Sequence, residues 1–383
     1  MTRTRRATIA MLFVGLAIFS GLYPTQAMLP ALVEDMGMSS AEAAMTISAA
    51  TGALAMCVIP MSILSERFGR GRMLLISTVS ATLIGMLVPL APTPGALIAV
   101  RGLQGAVMAG APATAMAWIS EELDSNQIAR AMGLYIAGTT VGGLTGRLIP
   151  TGLLEFTSWR WALAGSSLVT LTFAIIGALL LPSPRNFRPK EIHFGSELRA
   201  IARHACDRRL IPLFIVAFVA MGTFVALYNF LSFRLIHHFG LAPGIAGLVF
   251  LFYLTGTWSS ARAGSLVNRW GHGPTLMVSC LLLAVGIALC AGPLFAVLSG
   301  IVLFTVGFFA AHATASGWVG HIATHDRAEA SSLYVFFYYW GSSILGASAG
   351  LLFDAVSWTI FICIFTAISA GLVVLTWFAR KNG

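Results

Sequence analysis

Runs of about 20 apolar residues recur from one end of this chain to the other, and this repetition limits its possible folds more than any other feature. A run of that length crosses the roughly 30 Å hydrocarbon core of a bilayer as a helix. Backbone groups inside lipid must find hydrogen-bond partners within their own segment, so the runs are predicted to be α-helices. The alternating pattern of a membrane β-barrel is absent from the sequence. We predict an all-α membrane protein with twelve transmembrane helices, at residues 8–30, 43–63, 73–91, 95–119, 130–153, 161–181, 210–232, 244–261, 275–292, 295–319, 329–352 and 358–379.

The composition excludes an ordinary soluble enzyme. The chain is 57% hydrophobic and 10% charged, whereas roughly a quarter of the residues in soluble domains are charged. The sequence contains no dinucleotide fingerprint, catalytic triad or metal-ligand spacing, so we expect no enzymatic activity, no metal and no cofactor. The five cysteines fit no disulfide framework and are interpreted as small apolar fillers.

The basic residues predict the orientation of the chain in its membrane. With both termini in the cytoplasm, nearly all of the 23 Lys and Arg fall in cytoplasmic segments, and only Arg160 and Arg234 fall on the outer side. The net charge of +9 is then explained by basic loops against an anionic inner leaflet, without nucleic acid as a partner. The arginines before the first span precede an apolar run too long for a signal peptide, which indicates an uncleaved first helix.

A polar stretch divides the chain into two halves. Residues 182–209 are predicted to be a cytoplasmic linker between an N-terminal six-helix bundle, residues 1–181, and a C-terminal one, residues 210–383. The second part of the linker could form an interfacial helix capped by Ser196, or it could be a solvated tether.

The two halves repeat short motifs at corresponding places. "SILSERFGRG" (62–71) follows the second span, and "GSLVNRWGHG" (264–273) follows the eighth. "GGLTG" from Gly142 is echoed by "LGASAG" from Leu345, and "EFTSW" by "DAVSW". Such a repeat implies two pseudo-symmetric bundles, the layout associated with alternating access.

These motifs carry a family resemblance over the whole chain. "SILSERFGRGR" resembles the signature G-x-L-a-D-R-x-G-r-K/R between spans two and three of the major facilitator superfamily, and "RGLQG" (101–105) resembles its span-four signature R-x-x-q-G. "GTTVGGLTGR" resembles the antiporter signature G-x-x-x-G-P-x-x-G-G of span five. With "SWRW" after it, this stretch also resembles bacterial efflux permeases of the arabinose-efflux and YnfM types. The sequence departs from these patterns at Ser62, Glu66, Gly143 and Arg147, where the patterns have Gly, Asp, Pro and Gly.

The resemblance implies the major facilitator fold and a function. A member of this family would be a secondary active transporter that works by alternating access, here proton-coupled efflux of a small organic compound, either a drug or a metabolite. Its location would be the bacterial cytoplasmic (inner) membrane, and its partners would be the small-molecule substrate and the lipid bilayer. Its energy source would be the proton gradient, and it would be a monomer. Two alternatives remain. One is uptake or uniport of a small organic anion drawn by Arg101 and Arg147, and the other is a non-transporting membrane sensor.

By the same resemblance, the repeated cytoplasmic loops act as a gate. Its candidate residues are Glu66, Arg67, Gly69 and Arg70, with Asn268, Arg269 and Gly271 in the second copy. The acid would meet a helix end while the arginines tie the bundles together. Asn268 replaces the acid, so the two copies are not equivalent. The alternative is a positive-inside anchor without a gating role.

Charged and polar groups inside the spans are the candidates for substrate binding and coupling. A buried charge is costly, so it marks a functional site by default. Arg101 could bind an anionic group or respond to a proton carrier, or it could snorkel outward. His312 is the embedded group that titrates near physiological pH, and its alternative is a hydrogen-bonded core residue. The full set of candidates is Arg101, Gln104, Tyr23, Gln26, Asn229, His312 and Arg147.

Glycines at every fourth position give span five a smooth face. Gly138, Gly142 and Gly146 are expected to allow close contact with span eight of the other half, with Gly346 and Gly350 as their counterparts in span eleven. Arg147 ends this face. It would either pair across the halves when the outside is closed or snorkel to water.

Overall fold

The computed structural model describes residues 2–187 and 194–379, and within them every regular element is a helix. The predicted linker therefore lies partly outside the described residues, as do Arg380 and Lys381 of the predicted cytoplasmic C-terminus. The helices of the first half are α1 Arg3–Leu22, α2 Leu29–Met36, α3 Ser40–Phe68, α4 Arg70–Gly85, α5 Pro94–Met108, α6 Gly110–Glu122, α7 Ser125–Leu154 and α8 Trp159–Leu180. The remaining helices are α9 Phe194–Ala205, α10 Ile211–Phe233, α11 Pro243–Gly247, α12 Tyr253–Trp270, α13 His272–Leu289, α14 Leu294–Ile322, α15 Arg327–Ala355 and α16 Trp358–Ala379.

The predicted twelve-helix membrane fold is confirmed in the described part of the chain. Eleven helical stretches there are long and apolar enough to cross a bilayer. The twelfth is α7, which has 30 residues but is rich in glycine and threonine and contains Arg147, so its hydropathy is lower. Several helices extend beyond the predicted spans. The eighth predicted span, for example, was 244–261, whereas the helical stretch there runs over Pro243–Trp270.

Prolines and glycines set the helix boundaries that matter for the site. Pro24 follows the end of α1, and a single 3₁₀ turn, Gln26–Met28, leads into α2. The first span is thus broken. Gly69 and Gly271 have φ angles of 101° and 83°, a region that favours glycine, and each connects two helices at the repeated loop.

The chain divides into two compact units. The first comprises Met1–Met38, Glu42–Ile192 and Ala242–Gly247, and the second comprises Ser39–Ala41, His193–Leu241 and Leu248–Gly383. Within the first unit, α1 packs against α7 and α8. Within the second, α10 packs against α15, and α13 packs against α14 and α16. The α1–α7 and α10–α15 pairs occupy corresponding places in the two halves of the sequence.

The described part of the linker contains a helix rather than only a tether. This helix, α9, packs against α15, and the Arg203 guanidinium pairs with the Asp326 carboxylate. Ser196 lies inside its first turn and not at its cap. After α9, the hydrogen bond from Arg209 lowers the pKa of the Asp207 carboxyl.

Candidate functional site

Arg101 is fully buried and holds the break in the first span. Its Nη1 donates to the Gly21 carbonyl oxygen at 2.9 Å, and its Nη2 donates to the Leu22 carbonyl oxygen. Its Nε donates to the Thr46 carbonyl oxygen of α3 at 3.1 Å. Gly21 and Leu22 are the last residues of α1, whose terminal carbonyls lack partners within the helix. The alternative that Arg101 snorkels outward is therefore wrong, because the guanidinium is buried and caps a helix end.

Gln104 joins Arg101 to a third helix. Its Oε1 accepts a 2.5 Å hydrogen bond from Arg101 Nη1, and its Nε2 donates to the Ala81 carbonyl oxygen of α4 at 3.1 Å. A small cavity beside this pair has room for about one water molecule. Hydroxyl-bearing Ser166, Ser167 and Thr170 of α8 also line it. The surroundings of Arg101 are therefore polar and closely packed.

Three of the predicted candidates come together on the other side of the break. Arg147 of α7 is 2% exposed. Its Nε donates to Gln26 Oε1 at 2.8 Å, and its guanidinium lies 3.9 Å from the centre of the Tyr23 ring. Its Nη1 also donates to the Gly143 carbonyl oxygen. The alternative that Arg147 snorkels to water is wrong, because its side chain is buried. The partners named here lie in its own half of the chain.

The glycine face of α7 explains how this cluster is built, and it corrects a predicted contact. A Cβ at Gly142 would lie 2.7 Å from the Leu16 carbonyl oxygen, and one at Gly146 would lie 2.5 Å from the Ser20 carbonyl oxygen. Gly138 similarly faces Leu12. These glycines thus face α1, where span eight was the predicted neighbour. Only glycine lets two helix backbones approach so closely.

The start of span eight contacts α7 further along, within the first unit. Gly247 lies against the Thr151 side chain, and the Gly244 amide donates to Glu155 Oε1. In the second unit, Gly350 of α15 lies against Ala41, whose amide donates to Asp354 Oδ2 at 3.2 Å. Gly346 is buried on the same helix. Glu155 and Asp354 are the first residues of the repeated "EFTSW" and "DAVSW" motifs, so the repeat extends to these contacts.

His312 lies in an aromatic setting in the second unit. Its Nδ1 is 3.1 Å from Tyr334 Oη, and its ring is centred 4.6 Å from the ring of Tyr338. Phe308 stacks one turn away on α14. A histidine held by one tyrosine hydroxyl fits both the predicted coupling role and the alternative of a hydrogen-bonded core residue.

Asn229, the remaining predicted candidate of the second unit, directly follows Tyr228, a member of a dense aromatic cluster. Asn229 is fully buried on α10. Beside it, Tyr228 Oη is 2.7 Å from Thr305 Oγ1, and its ring stacks on Phe250. Phe224, one turn earlier, stacks on Phe308 at 3.9 Å between ring centres.

The first copy of the predicted gate is an ion-pair network within the first unit. Arg70 bonds to Glu66 at 3.0 Å and to Glu121 at 2.5 Å. Glu121 was not among the predicted gate residues, although the acid pair of Glu121 and Glu122 just after span four was a usable signal. Its neighbour Glu122 accepts hydrogen bonds from the Arg3 side chain and from the Arg185 and Asn186 amides, which ties the chain start to the linker.

The second copy of the gate differs. Asn268 and Arg269 lie exposed at the end of α12, before Gly271. His272, which follows the glycine as Arg70 does in the first copy, stacks on Trp318 and His321. An aromatic stack therefore stands where the first copy has an ion pair. Arg67 in the first copy is exposed and lies near the Phe68 ring.

A chain with this many membrane-length helices, a broken first span and buried cations at the break is a multi-pass membrane transport protein. It belongs to the Major Facilitator Superfamily, whose family model matches residues 8–344 and again residues 213–383. The resemblance inferred from the loop and span signatures is therefore confirmed.

Two relatives agree with this assignment, and a solved structure agrees with the fold. The inner membrane transport protein YnfM of Escherichia coli is 35% identical over 355 residues, covering 92% of this chain and 85% of that protein. The uncharacterized MFS-type transporter YybF of Bacillus subtilis is 32% identical over 356 residues, covering 92% and 88%. A crystal structure of a point mutant of the nucleoside transporter NupG superposes with a TM-score of 0.80 at 14% identity, covering 99% of this chain and 100% of that one.

A shorter match concerns a resistance protein. The puromycin resistance protein pur8 of Streptomyces alboniger is 32% identical over 158 residues, which is 41% of this chain and 31% of that protein.

Proposed function

We propose that this protein exports a small organic compound, a drug or a metabolite, by alternating access, and that the substrate binds at the break in the first span. The observation that carries the proposal is the Arg147 guanidinium, buried against Gln26 and the Tyr23 ring. Interrupted helices form the binding sites of many secondary transporters, and charges buried at membrane depth accompany substrate or ion pathways.

The residues at the break suit a solute with a flat apolar part and a polar end. Arginine offers a planar cation that binds carboxylates and stacks on rings. The Gln26 amide can orient a polar group, and the Tyr23 ring provides apolar surface. Arg101 acts behind these residues by holding the end of α1. In this proposal it is a positioning residue and need not touch the substrate.

Direction and energy source are further parts of the proposal. The efflux-permease resemblance and the resistance named for the partial match favour export. We infer proton coupling from the resemblance, with His312 and Tyr334 as the candidate proton-carrying pair. Residues 1–181 and 210–383 would be the two moving bodies in a monomer, with both termini in the cytoplasm.

Uptake of a small organic anion is a second candidate. Two buried arginines, Arg101 and Arg147, favour it because a fixed positive charge attracts anions from either side of the membrane.

The first experiment tests transport and the role of Arg147 together. Cells that overproduce the protein are screened for altered tolerance to puromycin and a panel of aromatic compounds, and accumulation of each active compound is then measured. Arg147→Ala should abolish the change in tolerance. Arg130 is an exposed residue of the same helix, and Arg130→Ala should retain the change. Equal tolerance in parent and Arg147→Ala cells would contradict the proposed site.

The second experiment tests direction and coupling in proteoliposomes. Export driven by protons should stop when a protonophore collapses the pH gradient. Accumulation of the compound inside intact cells, against its own concentration gradient, would instead favour uptake.

A further inference from the structure

Thr25 carries a fully buried hydroxyl that has no hydrogen-bond partner among residues 2–187 and 194–379. Other buried threonines of the first unit bond to a carbonyl about one turn back. Thr46 donates to Ala43, Thr78 to Leu74 and Thr114 to Gly110, each at 2.7 Å. Thr25 thus differs from these other buried threonines of the first unit. A buried polar group without a partner is costly and needs an explanation, such as a bound water or ligand.

The break in the first span explains why Thr25 lacks the usual partner. In a continuous helix its hydroxyl would reach the carbonyl of Gly21 or Leu22. Both carbonyls accept hydrogen bonds from Arg101, and the helix ends before Thr25. The break therefore removes the helical geometry in which those carbonyls would satisfy the threonine hydroxyl.

The position of Thr25 indicates what its hydroxyl could bind. It lies in the chain between Tyr23 and Gln26, the two residues that hold the Arg147 guanidinium. A fixed cation nearby favours an oxygen anion over other ligands, and guanidinium groups match carboxylates in geometry. The ring of Tyr23 adds an aromatic surface at the same place.

We propose that the substrate is a small aromatic carboxylate and that Thr25 Oγ1 donates a hydrogen bond to one of its carboxylate oxygens. This inference rests on the proposed transport function and names the substrate class of the same site. A site that uses a buried hydroxyl in this way discriminates strongly, because an analogue without the matching oxygen leaves the group unpaired.

The first test measures access to Thr25 without requiring a transport assay. Thr25→Cys is labelled in membrane vesicles with a water-soluble methanethiosulfonate reagent, and labelling is counted above that of the parent, whose five cysteines give the background. Thr78→Cys is the control at a buried, hydrogen-bonded position. Thr25→Cys should be labelled faster than the control, and sodium benzoate should slow its labelling whereas benzamide should not.

The second test separates binding from structure. Thr25→Val should leave the Tm of the ligand-free protein no lower than the parent's, because no internal hydrogen bond is lost. It should raise the benzoate concentration that gives half-maximal thermal stabilisation about two- to tenfold, the effect of one hydrogen bond. Thr25→Ser should restore the parent value. Thr78→Val should lower the Tm without changing the response to benzoate.

Two results would overturn the inference. Thr25→Cys that is no more reactive than Thr78→Cys would show that the hydroxyl is never reachable. The second result has two parts: benzoate does not slow the labelling of Thr25→Cys, and it stabilises Thr25→Val and the parent at the same concentration. Together they would show a site occupied by water only. Either result leaves the transport test on Arg147 standing by itself, so failure of the substrate class can be told from failure of the transport function.

Discussion

Arg101 Nη1 lies 2.9 Å from the Gly21 carbonyl oxygen, at the point where the first helix ends. A cation at a helix C-terminus is favourable because it meets the negative end of the helix dipole and carbonyls that have no other partner. The arginine of the "RGLQG" motif therefore stabilises the break in the first span. That break places Tyr23 and Gln26 beside Arg147.

Removing this cap should destabilise the protein as well as stop transport. Arg101→Ala leaves the carbonyls of Gly21, Leu22 and Thr46 without their donor, and each unsatisfied buried group costs about 1–3 kcal/mol. We expect a lower Tm in detergent and loss of flux, with normal insertion into the membrane. Arg101→Lys should be intermediate, because an ammonium group cannot reach all three acceptors in one plane.

The exposed Arg130 gives the matched charge control for this prediction. Arg130→Ala should leave the Tm within error of the parent. An Arg101→Ala protein with the parent's Tm would show that the cap contributes nothing to stability.

A methyl group at Gly142 should separate α1 from α7. Its Cβ would lie 2.7 Å from the Leu16 carbonyl oxygen and 2.9 Å from that of Gly15, and backbone atoms cannot move aside easily. Overpacking of this kind costs about 1–3 kcal/mol, so Gly142→Ala should lower the free energy of unfolding. Denaturant titration in detergent would measure the change.

Gly133, on the same helix, has nothing within 4 Å of its Cβ position. Gly133→Ala should therefore be neutral or stabilise the helix by up to about 1 kcal/mol. Equal effects of the two substitutions would argue against a close α1–α7 contact.

The Arg70 ion pairs should affect the transport rate more than the positive charge of the loop does. Arg70→Ala breaks the bonds to both Glu66 and Glu121, whereas Arg72→Ala removes the same charge from an exposed position. If the loop is a gate, transport should fall at least tenfold in the Arg70 variant, and little in the Arg72 variant. Initial rates in proteoliposomes provide the comparison, and similar rates would reduce the loop to a positive-inside anchor.

Substitutions at His312 and Tyr334 should separate substrate transport from proton coupling. If the imidazole carries the coupled proton, His312→Gln should still exchange substrate across vesicles but should no longer use a pH gradient. Tyr334→Phe removes the hydroxyl 3.1 Å from Nδ1 and should shift the pH dependence of flux while keeping it gradient-driven. Gradient-driven export that persists in His312→Gln would exclude this histidine as the carrier.

Much of the fold could be predicted because hydropathy is a property of each segment by itself. The apolar runs indicated twelve spans, and the repeated glycine loops indicated related halves; Gly69 and Gly271 indeed share the same unusual backbone conformation. The signatures of these loops also identified the family from the sequence alone. Each of these features depends on neighbours close in sequence.

The sequence by itself therefore determined the class of protein, the number and order of its membrane spans and the set of polar groups inside them. Only the tertiary structure decided which groups meet. The glycines of α7 could have served any close helix contact, because all helix surfaces in lipid are apolar and choose partners by shape; the structure pairs them with α1. Arg147 and Gln26 are 121 residues apart, and only that packing brings them together.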